Sequence, residues 1–458
     1  MSKNTTFGSK VGLVAATVGS AVGLGNVWRF PSEVQSNGGA AFLLVYIICI
    51  FILGIPVMLA EFSLGRAGSS DAVGVFKNLT PKKKWWLVGI IGLLASYFIL
   101  AFYMVVAGWT IEYLWQSITG NLYEGINTAN STFETGQFTV RMKDMIASSF
   151  NPLIWTYIMI IMNLGILLKG VQKGIEKMSN ILMPLLFLVL IFFCIISLSL
   201  PNADKGLEFF LKPDFSKINA SVVIDAMGQA FFSLSLGMGI LVTYASYYPK
   251  DTKMARTATL VSFLDLLVAF LMGLIIFPAV TSFGIDTAST GLSGTTLVFV
   301  TLPEVFAQMS MGQFWSVLFF LLLGVAALTS TISIAEVSIA FIQDRLKMSR
   351  VKACLIVILP LFITSSICSL SMGGMPWLKI AGLSVFDFLD AITTNLMLPL
   401  SAFFICIYVG WILPKSFIKD ELTNYGEFPS KVAPAVKLSI KYICPILIAI
   451  ILIVNLLN

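Results

Sequence analysis

Apolar stretches long enough to cross a bilayer follow one another along nearly the whole chain. A spanning helix needs roughly 20 residues, and about eleven stretches reach that length. They lie at 10–35, 40–68, 86–118, 151–169, 174–199, 221–247, 254–283, 313–346, 351–371, 379–411 and 434–457. No polar block between them is long enough for a soluble domain, and 11% of residues are charged against 57% hydrophobic. Lipid offers no partner to backbone N–H and C=O groups, so continuous apolar stretches of this length are helices. The expectation is an all-α polytopic membrane protein, a single transmembrane domain over 1–458.

Lysine and arginine mark alternate loops: Lys77 with Lys82, Lys83 and Lys84; Lys169 with Lys173; Lys250, Lys253 and Arg256; Arg345, Lys347, Arg350 and Lys352; and Lys415, Lys419 and Lys431. The intervening loops are mixed or acidic, with Glu124, Glu134 and Asp144 in one and Asp286 and Glu304 in another. Basic loops stay on the cytoplasmic side. This places the N-terminus inside and the C-terminus outside, in a multi-pass protein of the plasma membrane. The net charge of +6 thus encodes topology and is no nucleic-acid signal. The first apolar stretch lacks a cleavable-signal pattern and is expected to remain as a span. The external connections at 119–150, 200–220 and 284–312 include two long enough for short helices over an entrance.

Histidine is absent, which removes a Ser-His triad, a histidine metal site and a histidine proton relay. No P-loop pattern occurs, so ATP is not the direct energy source. The six cysteines are scattered through apolar segments without a Cys-x-x-Cys pair, so neither a zinc ribbon nor a disulfide framework is expected.

Two spans are interrupted. The first reads TVGSAVGLGNVWRFP over 17–31, with Gly19, Gly23 and Gly25 followed by Asn26, Arg29 and Pro31. Each glycine costs a helix roughly 1 kcal/mol relative to alanine, and backbone groups freed inside a membrane must find partners. The sixth, GQAFFSLSLGMGILVTYASY over 228–247, carries Gly237, Met238 and Gly239 beside Ser233 and Ser235. Broken spans at matching positions of two halves are the pattern of inverted repeats around a midplane site, a rule whose own worked example is the family that this chain resembles, named below. That resemblance implies a first repeat at 10–199, a second at 221–411, and an extra helix at 434–457. Half-helix N-termini suit a carboxylate, and carbonyls released at the breaks suit sodium. Small residues at helix contacts would account for one glycine pair. Two clusters, each beside hydroxyl or amide side chains, favour a site. A dinucleotide fingerprint fails, because Gly23 and Gly25 lack a third glycine and a preceding strand.

Ionisable residues at membrane depth are functional candidates by default. They are Glu33, Glu61, Glu112, Asp265, Glu336 and Asp390, with Arg29 at the outer side. Asp265, mid-span in LVSFLDLLVAF, is the sharpest and calls for a cation. Glu61, in GIPVMLAEFSLGR, reads as an acceptor for the loosened backbone of the first span. For Glu112 and Glu336 the functional and structural readings stand level. Ala326, Thr329 and Ser330 lie within one turn and make an uncharged oxygen set suited to sodium. Taken alone, those hydroxyls read as bonded back to the i−4 carbonyl. Gly174 and Pro184 bracket KGIEKMSNILMP, a spacing that allows either an unwinding segment opening a water path or an ordinary proline kink.

Six stretches in this order resemble the neurotransmitter:sodium symporter family: GSAVGLGNVWRFP (19–31), NGGAAFLLVY (37–46), GIPVMLAEFSLGR (54–66), KGIEKMSNILMP (173–184), GQAFFSLSLGMGILVTYASY (228–247) and ALTSTISIAEVSIAFIQD (327–344). The resemblance covers nearly the whole chain. It implies the five-plus-five inverted repeat of the leucine-transporter type, with eleven helices rather than twelve and the first and sixth broken. It implies two sodium ions as cofactors. One would meet the Ala21 carbonyl, Asn26, Ser233, Asp265 and the substrate carboxylate. The other would meet the Gly19, Val22 and Ala326 carbonyls, Thr329 and Ser330. Tyr103 with the amides of Leu24 and Gly25 would hold the carboxylate, and the carbonyls of Ala21, Phe232 and Ser235 the ammonium. Ile99, Tyr103, Phe232, Met238, Ser330 and Ile334 would line the side-chain pocket. Arg29 with Asp390 would form the outer gate under a lid of Tyr103 and Phe232; Asp344 and Tyr247 would belong to the inner gate.

This chain departs from the family pattern in places. Relatives pair an arginine near the N-terminus with the aspartate at 344; here Asn4 stands near that place, with Lys3 as a substitute. Relatives that need chloride carry neutral residues around the first sodium, whereas Asp265 brings a fixed negative charge, so chloride independence is expected. The glycines flanking Met238 leave room for a bulky apolar or aromatic side chain. The resulting expectation is a sodium-coupled symporter of a hydrophobic or aromatic L-amino acid working by alternating access. It is no enzyme, and its partners are the amino acid and membrane lipid, not nucleic acid. A symporter of a small or polar amino acid, and an amino-acid-gated channel or sensor on the same scaffold, are the alternatives.

Overall fold

The structure, a computed structural model, describes residues 6–124, 136–283 and 294–457. Among them, eight helices are long and apolar enough to cross a membrane: Ala40–Gly68, Trp86–Thr119, Val171–Leu198, Met254–Ser282, Gly312–Leu346, Arg350–Met372, Val385–Ile412 and Ala433–Leu457. Two bent pairs raise the number to as many as ten. Lys10–Ala21 meets Gly25–Ser36 at 52°, and Gln137–Ala147 meets Asn151–Leu167 at 74°. The remaining expected span, 221–247, is divided into Ala220–Ser233 and Ile240–Ser246 by irregular backbone at 234–239. Neither half has the length of a crossing helix.

Lipid-facing positions follow the helical period. Ile181, Leu188, Ile191 and Ile195 recur on one face and are exposed, as are Ile446, Ile450, Ile453 and Leu457 on the last helix. Such a continuous apolar face suits hydrocarbon. The third and eighth spans, Trp86–Thr119 and Gly312–Leu346, make the most extensive helix pair. The broken spans gather around them. Lys10–Ala21 packs on Gly312–Leu346, Ala220–Ser233 on Ala40–Cys49, and Ile240–Ser246 on Ile55–Gly68. At the last of these contacts a Cβ on Gly65 would stand 2.1 Å from the Val242 carbonyl oxygen, so only glycine lets the two backbones meet.

One boundary differs from the sequence expectation. The tenth span begins at Val385, not at 379. Lys379–Ile380 and Leu383–Ser384 pair as a small antiparallel hairpin. Its two turn residues, Ala381 and Gly382, both have positive φ, 51° and 84°, the conformation that two-residue hairpin turns favour. Ser384 then caps the helix by accepting the Asp387 N–H. The long connections carry short helices at Gln137–Ala147, Ala203–Leu211 and Leu302–Gln308. Glu134 and Asp286 lie outside the described residues.

Candidate substrate and ion site

The first span leaves its helical path at Val22, whose ψ is 110°. Asn26 bridges part of the gap: its Oδ1 accepts the Gly23 N–H at 3.1 Å, and its own backbone N–H reaches the Gly23 carbonyl at 3.2 Å. The sixth span breaks more sharply. Ser235, Gly237 and Gly239 have φ of 54°, 78° and 75°, a region that glycine enters without Cβ strain. The freed Gly237 N–H donates to Glu61 Oε1 at 2.7 Å. Glu61 therefore serves the break in the sixth span rather than the first, because Ile55–Gly68 packs along Ile240–Ser246. The two breaks touch through Ser235 Oγ, which donates to the Ser20 carbonyl at 2.9 Å.

Two oxygen-rich clusters form at this junction. In one, Asn26, Ser233 and Asp265 are buried and bonded to each other. Asn26 Nδ2 donates to Asp265 Oδ1 at 2.8 Å and to Ser233 Oγ at 3.0 Å, and Ser233 Oγ donates to Asp265 Oδ2 at 2.7 Å. A buried carboxylate held by neutral partners is poorly compensated and favours a cation beside it. In the other cluster, Ser330 Oγ lies 3.3 Å from the Val22 carbonyl and 3.5 Å from the Gly19 carbonyl. Thr329 Oγ1 lies 3.1 Å from both the Ala326 and Val325 carbonyls, the second being the i−4 back-bond. The second set offers only oxygen, and the first offers the Asp265 carboxylate and the Ser233 hydroxyl beside the Asn26 amide; oxygen is the donor that hard cations take, so the residues present fit sodium.

Between the clusters lies a cavity lined by Ser20, Ala21, Gly23, Gly25, Ile99, Tyr103, Phe232, Ser235, Met238, Ser330 and Ile334. The structure thus brings together the residues expected around a substrate. Leu24 joins them through its backbone N–H, which donates to Tyr103 Oη at 3.1 Å. The glycines keep this space open. A Cβ on Gly23 would stand 2.5 Å from Ser330 Oγ and 3.0 Å from Tyr103 Oη, and one on Gly25 would stand 2.9 Å from the Phe232 ring. One end of the cavity is polar, with main-chain amides and a phenol; the other is apolar, with Ile99, Met238 and Ile334. A larger cavity, about 680 Å³, lies elsewhere, an apolar recess between Lys10–Val18, Met183–Phe187 and Leu260. It contains none of the expected site residues.

The expected outer-gate ion pair of Arg29 with Asp390 is not made in this conformation. The Arg29 guanidinium lies 4.7 Å over the Phe232 ring, and its Nε approaches Glu33 at 3.6 Å. Asp390 instead accepts from Thr394 Oγ1 at 3.1 Å. At the opposite end Tyr247 donates its hydroxyl to Glu336 at 2.9 Å, and Arg350 grips the same carboxylate at 2.6 and 2.7 Å. Asp344 accepts from the Asp71 N–H at 3.1 Å and from Ser70 Oγ at 3.3 Å. Lys3 and Asn4 lie outside the described residues. Three residues escaped the sequence reading. Gln229 donates to the Gly25 carbonyl at 3.2 Å; its place one turn before Ser233 puts it on the same face and is the signal that identifies it. Tyr46 buries its hydroxyl beside Asp265 and Ser233. Arg350 meets Glu336 across a helix junction, which leaves no local trace in sequence.

Paired broken helices around a buried, oxygen-lined cavity define a membrane transporter of the inverted-repeat class. The profile of the Sodium:neurotransmitter symporter family matches residues 4–151 and 129–458. The crystal structure of MhsT in complex with L-phenylalanine matches with a TM-score of 0.87 and 39% identity, over 98% of this chain and 99% of that one. An uncharacterized sodium-dependent transporter of Haemophilus influenzae is 38% identical across 98% of both chains. The sodium-dependent serotonin transporter of Drosophila melanogaster is 31% identical over 74% of this chain and 59% of its own length. The chain belongs to the sodium:neurotransmitter symporter family, and its fold is of the leucine-transporter type.

Proposed function

We propose that this protein imports a hydrophobic or aromatic L-amino acid together with two sodium ions, independently of chloride. The observation that carries this reading is the junction of the two breaks, where the unwound backbone of both spans lines one cavity and Asp265 is bonded to Asn26 and Ser233, which flank it on the two broken spans. The amides of Leu24 and Gly25 and the Tyr103 hydroxyl take the substrate carboxylate. The carbonyls of Ala21, Phe232 and Ser235 take its ammonium, and Ile99, Phe232, Met238 and Ile334 its side chain. MhsT, the structural neighbour, was crystallised with L-phenylalanine, which supports an apolar substrate.

The first sodium, at the Ala21 carbonyl, Asn26, Ser233 and Asp265, also touches the substrate carboxylate, so binding of one depends on the other. The second, at Gly19, Val22, Ala326, Thr329 and Ser330, joins the first span to the eighth and holds the cytoplasmic side shut. Its release frees Lys10–Ala21 to swing. Arg29, Asp390, Tyr103 and Phe232 close the outer side, and Tyr247 and Asp344 belong to the inner one. Asp265 supplies the negative charge that an anion would otherwise bring. The N-terminus is cytoplasmic and the C-terminus external.

Equilibrium binding across the twenty amino acids, in sodium and in choline, tests this reading. The expected result is sodium-dependent binding of large apolar and aromatic side chains, with glycine and charged residues far weaker. Preference for a small or polar amino acid would overturn the substrate assignment.

A further inference from the structure

The seventh span begins with two cations at its positive end. Lys253 precedes Met254–Ser282, Arg256 lies in the first turn, and that turn holds no acidic residue. A helix N-terminus carries unpaired N–H groups and favours anions over cations, so these charges call for a negative group from elsewhere. Asp251, in the loop before the helix, is taken up by Lys10 at 3.0 Å. Lys253 Nζ lies 5.1 Å over the Phe428 ring, and among the described residues Arg256 makes no ion pair. Thr252 is 6% exposed, and its buried hydroxyl has no hydrogen-bond partner. At 3.6 residues per turn, Ala255, Thr259 and Phe263 form one strip of the helix, Thr257, Leu260 and Leu264 the next, and Arg256 the ridge between them. Each strip borders an apolar recess. The larger, about 680 Å³, includes Thr252 and Lys253 in its lining. The smaller, about 440 Å³, lies over the first strip beside Val432. Arg256 and Leu260 line both, and Phe263 and Leu260 are exposed on a face suited to hydrocarbon.

We propose that the start of the seventh span seats one anionic diacyl phospholipid, with its phosphate at Lys253, Arg256 and the Thr252 hydroxyl and one acyl chain in each recess. Arginine donates charge-assisted hydrogen bonds to phosphate oxygens, and Thr252 supplies a further donor. The acyl chains bury their methylene groups in the two recesses, whose volumes match those of small-molecule sites. Two cations and a helix N-terminus face one phosphate, while the acid of the same loop is engaged by Lys10, so nothing here receives the ammonium of a zwitterionic headgroup. Loop cations that only set topology need no particular register; Arg256 stands where two apolar recesses meet. None of these residues belongs to the substrate cavity or the two sodium clusters, so the inference goes beyond the transport reading and does not rest on it.

The test uses full-length protein in a neutral maltoside detergent. It is titrated with phosphatidylglycerol, with phosphatidylcholine of the same chains, with lysophosphatidylglycerol and with glycerol 3-phosphate, and binding is read by native mass spectrometry and thermal melting. One phosphatidylglycerol per chain is expected to bind saturably, about tenfold more tightly than phosphatidylcholine. The single-chain lipid should bind more weakly, and glycerol 3-phosphate should leave the melting temperature unchanged. Arg256→Gln and Lys253→Gln should each weaken phosphatidylglycerol about fivefold. Thr259→Trp, which fills the smaller recess alone, should weaken phosphatidylglycerol and spare the single-chain lipid. All three positions are exposed, so lipid-free melting of these variants should match the parent and report that they fold. Equal affinity for the two diacyl lipids, unchanged affinity in both charge variants, or glycerol 3-phosphate binding as tightly as the lipid would overturn the proposal. So would a Thr259→Trp variant that weakens neither lipid or both alike.

Discussion

Asp265→Asn removes a charge from the site while keeping its shape. In the structure both carboxylate oxygens are engaged, Oδ1 by Asn26 at 2.8 Å and Oδ2 by Ser233 at 2.7 Å, in a fully buried cluster. A unit charge about 4 Å from sodium contributes about 4 kcal/mol at an effective dielectric constant of 20. Desolvation offsets part of this, leaving about 2–3 kcal/mol, which corresponds to about 30- to 150-fold weaker sodium binding. Stability carries a second signature. Sodium at 100 times its Kd stabilises the parent protein by about 2.7 kcal/mol, and the same concentration at a Kd about 100-fold weaker gives only about 0.4 kcal/mol. Without sodium the order reverses, because the variant no longer buries an unbalanced carboxylate and melts higher. Thermal melts and L-phenylalanine binding in sodium chloride, sodium gluconate and choline chloride read both effects. Chloride is expected to restore part of the variant's affinity and to leave the parent unaffected. An unchanged sodium Kd in the variant, or a chloride requirement in the parent, would refute the reasoning.

Gly23→Ala places a Cβ 2.5 Å from Ser330 Oγ, and overpacking of this kind costs about 1–3 kcal/mol; L-phenylalanine affinity should fall at least about tenfold in equilibrium binding. Glu61→Ala leaves the Gly237 N–H without its acceptor at a cost of about 1–3 kcal/mol, to be seen as a lower melting temperature that Glu61→Gln largely restores. Arg350→Ala strands Glu336 as an unpaired buried charge, a loss of about 3–5 kcal/mol. Adding Glu336→Gln to that variant should recover part of the melting temperature; a further drop would show that the pair is not the source of the loss.

Both breaks were readable in the chain because glycine pairs beside Asn26, Ser233 and Ser235 contradict a continuous helix in lipid. Asp265 stood out for the same reason, as a charge where none is tolerated without a purpose. What escaped depends on contacts between elements distant in sequence. Glu61 announced an acceptor for freed backbone, yet which of the two breaks it serves is decided by how the second span lies against Ile240–Ser246. Arg29 and Asp390 were each visible as candidates, while Glu33, one turn from Arg29, is the nearer partner in this conformation. The start of the tenth span was misplaced because Ile380 and Leu383 are apolar enough to extend a hydropathy window; the turn at Ala381 and Gly382 is a conformational signal that hydropathy does not carry.

Sodium coupling through the paired breaks is tested most directly by uptake into proteoliposomes under an inward sodium gradient. Labelled L-phenylalanine should accumulate above equilibrium, collapse to equilibrium when a sodium ionophore dissipates the gradient, and be unchanged when gluconate replaces chloride. Equal uptake with choline outside, or equilibration without accumulation as a channel would give, would contradict it.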